Sequence, residues 1–353
     1  MIETKTAQPN KLAIYLAGLA LASAGIYDIT ASYLGEGYIA VPILLSVFAI
    51  MLNFDYIKDT IKRTGLGEKW VVIPLLIIWL SCIGHLDIKT AAYGSWFVAV
   101  YFLGRSLNHK VFNSLPYAAI VVSLFVMVSK IVLYTTGLYE NHYLLWNAHH
   151  YLAFLILMGM IFAKGKIRGW TWILGIPAII IGGSQEGLGI LIALLIVWLL
   201  TNHPKKSLIP LGLVGSLVAI IAFTGYGHAA FPAFNGQRLD SLNNFTDLRI
   251  TPIVDLFKTH NWIWGTGWTF DFNKAGSAIH NVVLDMASNI GIVAGLAWMF
   301  MIVAGFFKTP YRWVFFTLAW WSIVDNSLWT GLAIWSPLLL GVLTQKEGEY
   351  ESQ

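Results

Sequence analysis

The sequence contains few charged residues and a single cysteine. Lys, Arg, Asp and Glu make up 11% of the 353 residues, whereas soluble domains contain about 25%. This shortage argues against an ordinary soluble domain. Cys82 lies inside an apolar run, and one cysteine can form neither an internal disulfide nor a cysteine-based metal site.

Metal-ligand patterns and nucleic-acid signals are also missing. The sequence has no Asp-x-Asp motif, and the adjacent His149 and His150 cannot readily share one ion from a helix. We therefore expect no metal and no cofactor. The net charge of +4 comes from small basic clusters between apolar runs, which is typical of membrane topology signals and not of a nucleic-acid partner.

Apolar residues dominate what is present, with 57% hydrophobic residues and a mean hydropathy of +0.68. A bilayer crossing needs about 20 residues of helix. The apolar runs predict an all-α polytopic membrane protein with about twelve transmembrane helices. These runs are Leu12–Ile29, Tyr38–Phe54, Trp70–Gly84, Ala91–Leu103, Tyr117–Leu133, Leu144–Ala163, Trp170–Gly183, Leu188–Leu200, Leu208–Thr224, Val282–Phe307, Trp313–Val324 and Leu332–Leu343.

The basic residues predict the orientation of these segments. Most of the 22 Lys and Arg residues fall on alternate connections, and the short connections on the other face hold only Lys89. Basic residues favour the cytoplasmic side, so both termini are expected to be cytoplasmic. The sequence Ala22-Ser23-Ala24 imitates a signal-peptide cleavage site, but Ala and Ser are common in membrane helices, and we expect an uncleaved first helix.

One connection, residues 225–281, is much longer than the others. Loops of this length are usually functional or disordered, and ten aromatic residues argue against disorder here. We expect residues 1–353 to form a single transmembrane domain, with 225–281 as a large ordered periplasmic loop. Within this loop, Thr251–Trp264 has a helical pattern with Pro252 near its start.

The loop also carries a resemblance to a known family. Arg249 is followed by an amphipathic stretch and by Gly265-Thr266-Gly267. His280-Asn281 then opens an apolar helix, with Gly291 eleven positions after the histidine. This order resembles the O-antigen polymerase and ligase superfamily of integral-membrane glycosyltransferases. The earlier stretch 182–187 resembles the Gly-Ser-Arg-Gly element of that family, with Gln185 where the family has Arg.

The resemblance implies a GT-C-like bundle in the bacterial inner membrane, with the active site facing the periplasm. Such enzymes move a glycan from an undecaprenyl-diphosphate carrier to an acceptor hydroxyl. The implied partners are the lipid-linked oligosaccharide and membrane lipid, and a chain-length regulator protein is also compatible. Because Gln185 replaces the family Arg, a polymerase is favoured over the alternative of a ligase acting on lipid A-core. A lipid-linked glycan flippase is the alternative from another class, but no repeated halves are visible.

Arg249 and His280 are the predicted catalytic residues. A diphosphate leaving group calls for a permanently charged Arg fork, and an acceptor hydroxyl calls for a base with a pKa near neutrality. A helix N-terminus keeps histidine neutral, as a base requires. The structural alternatives are a surface pair of Arg249 with Asp247 or Asp255, and a polar interface role for His280 with Asn281 as N-cap.

Six further residues are predicted to bind substrate. Some have simple structural alternatives: Asp240 could neutralise Arg238, and Glu186 in a first helical turn could be a partner of the helix dipole. The amide of Gln185 could hydrogen-bond a phosphate or a sugar, but it cannot supply the missing charge. The full set is Arg238, Gln185, Glu186, Asn281, Gly265 and Gly267.

Overall fold

The protein is helical wherever its structure is described. A computed structural model describes residues 9–26, 38, 40–107, 109–135, 149–182, 185–202, 254, 256–258, 262–267, 281–324 and 334–345. These residues form helices, turns and short connections, with no strand among them. The all-α class predicted from the sequence is therefore confirmed for this part of the chain.

The described residues divide into two compact units, and the first combines both ends of the chain. It contains residues Met1–Leu115 and Ile253–Gln353. Its helices are α1 (Lys11–Gly25), α2 (Ala40–Leu52), α3 (Phe54–Thr64), α4 (Lys69–Gly84), α5 (Ile88–Ser106), α10 (Val282–Ile290), α11 (Ile292–Lys308), α12 (Arg312–Val324) and α13 (Trp335–Leu343), with a 3₁₀ helix at His109–Ser114.

The second unit, Pro116–Pro252, contains a smaller set of helices. Its α7 packs against both α8 and α9, and Gly175 of α8 gives room to Ile156 and Met160 of α7. The bounds are α6 (Leu115–Thr135), α7 (His149–Phe162), α8 (Gly165–Gly182) and α9 (Gln185–Asn202).

Backbone-close packing joins α5 to α13 in the first unit. A Cβ atom placed on Gly104 would lie 2.5 Å from the carbonyl oxygen of Leu338, and one placed on Gly341 would collide with the carbonyl of Tyr101. Small residues allow two helices to approach this closely. The Gln345 side chain then donates to the carbonyls of Gly104 at 3.1 Å and Arg105 at 2.6 Å, which ties the end of α13 to α5.

Large aromatic side chains fill the centre of the first unit. Trp298 of α11 is fully buried and meets Phe97 of α5 edge-on, with ring centroids 6.1 Å apart. Its indole N–H donates to Ser322 Oγ of α12 at 2.9 Å, so its polar atom is satisfied. Trp70 of α4 and Phe315 of α12 make a similar edge contact at 6.2 Å. Helices α4, α5, α11 and α12 therefore share one core.

Helix α3 was not predicted from the sequence, because its residues are mostly polar. It follows α2 at Asn53 with a bend of 67°. Asn53 fixes this corner: its amide donates to Ser106 Oγ at 2.6 Å, and its side-chain oxygen accepts from the Asn10 backbone N–H at 3.1 Å. Charged residues lie on one side of α3, and Ile57 is buried on the other. This amphipathic pattern was the available signal.

The structure corrects two predicted segments in the last third of the chain. The predicted span Val282–Phe307 is two helices, α10 and α11, separated at Gly291, whose φ is +97°. The helix predicted over Thr251–Trp264 does not reach its expected end: Val254 and 256–258 are helical, but 262–264 form a turn. The predicted span Leu208–Thr224 lies outside the described residues.

Helix length alone does not establish a membrane bundle. Within the described part of the chain, one helical stretch, His109–Ser129, is long and apolar enough to cross a bilayer by itself. Together α2 and α3 meet the same requirement, as a bent pair. Shorter apolar helices occur at Lys11–Gly25, Lys69–Gly84, Tyr151–Phe162 and Ile292–Lys308. Buried core helices of soluble proteins can satisfy the same criteria, so the twelve-span arrangement stays a prediction.

Several of these helices expose large apolar side chains at helical spacing. Helix α11 is apolar on both sides, since Trp298 and Met301 are buried while other large side chains face outward. The same holds for α4 and α6. The outward-facing residues are Val293, Leu296, Phe300, Val303 and Phe307 on α11, Ile73, Leu76 and Leu80 on α4, and Tyr117, Val121, Leu124, Phe125, Val128, Ile131 and Val132 on α6.

Candidate active site

The predicted site residues fall into three groups in the structure. Asn281, Gly265 and Gly267 lie in the first unit. Gln185 and Glu186 open helix α9 in the second unit, where the backbone is described. The remaining predicted residues, Arg238, Arg249 and His280, lie outside the described residues.

The Gly265-Thr266-Gly267 turn docks on the carboxyl end of helix α10. The backbone N–H of Thr266 donates to the Ser288 carbonyl, and that of Gly267 donates to the Asn289 carbonyl, both at 2.9 Å. The Thr266 hydroxyl also donates to the Ser288 carbonyl, at 3.2 Å. Carbonyls in the last turn of a helix have no partner within the helix, so the turn acts as a cap for α10. These two amides are therefore engaged and cannot also cradle a phosphate.

Glycine is required in this contact for steric reasons. Gly265 has a φ of +79°, and a Cβ atom there would lie 2.5 Å from the backbone of Asn289 and Ile290. Gly291 has a φ of +97°, and its Cβ would lie 2.7 Å from the Ile263 carbonyl oxygen. Side chains are disfavoured at such positive φ values even without crowding. Gly265 and Gly291, both highlighted by the family resemblance, thus allow residues 263–265 to pack closely against the end of α10.

Asn281 caps the opposite end of α10 and links it to α12. Its side-chain oxygen accepts the backbone N–H of Leu284 at 3.1 Å, and its side-chain N–H donates to the Ile323 carbonyl at 3.0 Å. The N-cap interpretation of Asn281 is confirmed. Its predicted contact with substrate stays a prediction. The N-terminal end of α10, where N–H groups and the helix dipole favour negative charge, therefore begins at Asn281, the residue that follows His280 in the sequence.

The two ends of α10 are too far apart for one small group to touch both. The helix has 9 residues, which corresponds to about 13 Å at roughly 1.5 Å per residue. Asn281 and the Gly265–Gly267 turn therefore lie at different places along the site. The turn lies at the C-terminal end of α10, and the predicted base, His280, precedes the N-cap in sequence, so substrate binding by Gly265 and Gly267 stays a prediction.

A polar cluster on the α4–α5 connection was missed in the sequence. A Cβ atom on Gly267 would lie 3.9 Å from His85 Nδ1 and 4.0 Å from Thr90 Oγ1, so this connection adjoins the turn. Asp87 caps α5 by accepting the Thr90 backbone N–H at 2.9 Å and the Thr90 hydroxyl at 2.7 Å. Both hydrogen bonds lower the pKa of Asp87, the one to the hydroxyl more strongly. Leu86 has a φ of +54°, which is uncommon for a residue with a side chain.

The available signal for this cluster was its position. His85 and Asp87 are polar residues in a very short connection between two apolar runs, on the face predicted to be periplasmic. Their proximity to Gly267 depends on tertiary packing and could not be read from the sequence. His85 is partly exposed and could contact a ligand bound near the turn.

The chain matches no family model and no curated protein. Assignment to a family therefore stays a resemblance based on the motifs, and function has to be argued from the site. The described residues contain no group of three or more His, Cys, Asp or Glu side chains that could hold a metal ion. The side chains of His149 and His150 are not among those that the structure describes.

Replacing Asn281 tests the cap directly. We expect Asn281→Ala to destabilise the protein by about 1 kcal/mol, the usual effect of losing an N-cap. Asn281→Asp should keep the cap but lose the bond to the Ile323 carbonyl, because a carboxylate can accept the Leu284 N–H but cannot donate. The measurement is the thermal unfolding midpoint of the purified proteins in one detergent. An unchanged midpoint for Asn281→Ala would remove the cap from the list of interactions that stabilise α10.

Proposed function

We propose that this chain is an integral protein of a bacterial inner membrane. The apolar stripes on α4, α6 and α11 support this, because a large apolar surface facing outward is rare on soluble monomers and expected against lipid. Helix α3 supports it as well. An amphipathic helix bent by 67° from an apolar one suits the boundary between lipid and water.

Within that membrane, the proposed function is polymerisation of O-antigen repeat units carried on undecaprenyl diphosphate. The observation that supports this proposal most directly is the pair of capping contacts at the two ends of α10. The Gly265–Gly267 turn caps one end of the helix and Asn281 caps the other, and His280 directly precedes Asn281 in the sequence. Described residues from the two motifs behind the family resemblance thus lie at opposite ends of one short helix.

In the proposed reaction, the acceptor-sugar hydroxyl attacks the anomeric carbon of the donor glycan. The bond from that carbon to the diphosphate oxygen breaks, and both its electrons leave with the diphosphate. His280 takes the hydroxyl proton. Arg249 holds the negative charge that grows on the leaving group, through two parallel hydrogen bonds. A guanidinium can provide this charge stabilisation, so the proposed reaction requires no metal ion.

Deletion of the gene tests this function against its alternatives. Loss of a polymerase leaves single repeat units that can still be joined to lipid A-core, so each core carries at most one unit. Loss of a ligase leaves bare core and polymer on the carrier. Loss of a flippase strands single units on the cytoplasmic face. We expect the first pattern, on a gel of surface glycans with lipid-linked intermediates analysed in parallel, and recovery of long chains on re-expression. The second or third pattern would overturn the proposed reaction.

Thiol labelling tests the proposed orientation. In a Cys82→Ser background, a cysteine replacing Ser241 should react with a membrane-impermeant reagent in intact spheroplasts, and one replacing Ser207 should not. The reason is that basic residues precede position 207, whereas position 241 lies in the long loop of the opposite face. Both positions should react after lysis, which controls for accessibility. Labelling of both in intact spheroplasts would contradict this orientation.

A further inference from the structure

The first unit contains a cleft whose lining does not include helix α10, Asn281 or the Gly265–Gly267 turn. Its volume is about 1,090 Å³, and its walls come from α3, the α3–α4 connection, α4, α5 and α11, with Thr344 at one edge. The cleft combines a basic end with an apolar wall. By the predicted orientation the basic end faces the cytoplasm, opposite to the proposed site of glycan transfer.

Positive charge is concentrated at one end of this cleft. Arg63, Lys69, Arg105 and Lys308 line it, together with a single carboxylate, Glu68. Arg63 is partly engaged, because its Nε donates to the Asp59 carbonyl at 3.2 Å and its guanidinium lies over the Tyr56 ring. Four cations with one anion make this end suitable for an anionic ligand.

The basic end of the cleft contains a buried hydrogen-bond donor without a partner among the described residues, on Arg105. This side chain is only 6% exposed, and its guanidinium donates to Thr64 Oγ1 at 2.7 Å. Its Nε is buried and has no hydrogen-bond partner among the described residues, and no described carboxylate forms an ion pair with it. A buried N–H without an acceptor is unfavourable, so a bound anion would satisfy a donor that the described residues leave open.

The wall of the cleft is suited to a hydrocarbon chain. Ile73 and Ile77 of α4 line the cleft together with Leu296 and Phe300 of α11. From Lys308 to Val293 the cleft follows α11 for 15 residues, or about 22 Å at roughly 1.5 Å per residue. This length exceeds the roughly 15 Å half-thickness of a bilayer core. An occupant with a charged head and a long apolar tail would fill both parts.

We propose that this cleft binds one anionic phospholipid, with its phosphate at Arg105, Lys69 and Lys308 and an acyl chain along α4 and α11. The inference rests on the proposed membrane location but not on glycan transfer. Phosphate accepts several charge-assisted hydrogen bonds at once, which matches the cations around the unsatisfied Nε of Arg105. The lipid would be a structural component of the protein on the face opposite the reaction.

Native mass spectrometry of the full-length protein tests the proposal. The protein is released from nanodiscs containing phosphatidylglycerol and phosphatidylcholine in equal amounts, and the retained lipid is counted. We expect one phosphatidylglycerol to be retained with at least a tenfold preference. The Lys69→Gln/Lys308→Gln double variant should weaken retention on the order of thirtyfold, while Lys62→Gln, outside the cleft on α3, should not. Equal retention of the two lipids, or equal effects of these variants, would overturn the proposal.

A second pair of variants tests the acyl-chain wall without removing charge. Ile73→Trp should block the cleft and reduce retention, whereas Leu76→Trp, equally exposed on α4 but outside the cleft, should not. Inorganic phosphate provides a separate arm. Displacement of the lipid by millimolar phosphate, with no effect of Ile73→Trp, would show a phosphate site alone and overturn the lipid assignment. Failure of the glycan-ladder test would leave these expected results unchanged.

Discussion

Arg249→Lys is expected to lower glycan transfer by a factor of hundreds although the positive charge is kept. Lysine cannot form the two parallel hydrogen bonds that a guanidinium makes to a diphosphate. Losing one contact to the charge that develops in the transition state costs on the order of 3–4 kcal/mol. His280→Gln should cause a comparable loss, because glutamine preserves a polar side chain but cannot accept the proton. The measurement is the glycan ladder in cells lacking the wild-type gene.

Matched variants in the same loop make this result specific. Lys258→Gln and His260→Gln remove another cation and another imidazole from the loop, and both should leave the ladder close to normal. Protein levels should be similar for all four variants, as checked by immunoblotting of membranes. A normal long-chain ladder from His280→Gln would exclude this histidine as the base. Near-normal activity of Arg249→Lys would reduce Arg249 to a surface charge.

Gly265→Ala is expected to destabilise the protein by about 2–5 kcal/mol, the largest structural effect predicted here. The added methyl group would lie 2.5 Å from the backbone of Asn289 and Ile290, and backbone atoms cannot rotate away as a side chain can. The φ of +79° adds about 1–2 kcal/mol of backbone strain once the residue has a side chain. The thermal midpoint should fall, and glycan transfer should fall with it because α10 loses its cap.

Two other glycines separate crowding from backbone strain. Gly65 has a φ of +67° with nothing within 4 Å of a new Cβ, so Gly65→Ala should show the strain alone. Gly84 ends helix α4 with open space and no positive φ, so Gly84→Ala should be neutral or slightly stabilising. The expected order of destabilisation is Gly265, then Gly65, then Gly84. Equal thermal midpoints for the Gly265 and Gly65 variants would contradict the close contact between Gly265 and the backbone of α10.

Helix positions were predicted well where an apolar run ends at charged residues. The run Trp70–Gly84 corresponds to α4, and Trp313–Val324 corresponds to α12, each within one residue. The division at Gly291 was not predicted, because Ile290 and Ile292 continue the apolar run through it. Its cause is tertiary: the Ile292 N–H donates to the Trp262 carbonyl at 2.8 Å, outside the helix. The hydropathy of the sequence cannot reveal a hydrogen bond between residues that are 30 positions apart.

The candidate site was predicted in its motifs but not in its contacts. Gly265 and Gly267 were selected from their order in the sequence, yet the reason for glycine is a carbonyl contact with residues more than 20 positions away. Arg105 is one of the basic residues that follow an apolar run, and this position in the sequence does not indicate that its side chain is buried. Its burial depends on Thr64 and on the tight approach of Gly67, which the sequence places in a different, polar segment.

The two contacts that join the ends of α10 to other parts of the chain become possible at different times as the chain is synthesised. The Gly265–Gly267 turn precedes the helix in the chain. The N–H donors of the turn are therefore already present when the Ser288 and Asn289 carbonyls emerge. The acceptor for the Asn281 amide, the Ile323 carbonyl, comes 42 residues later. At about 5–20 residues per second this is a delay of roughly 2–8 s. During that interval the Asn281 end of α10 is not yet linked to α12, so this end of the helix gains its tertiary contact after the turn has formed at the other end.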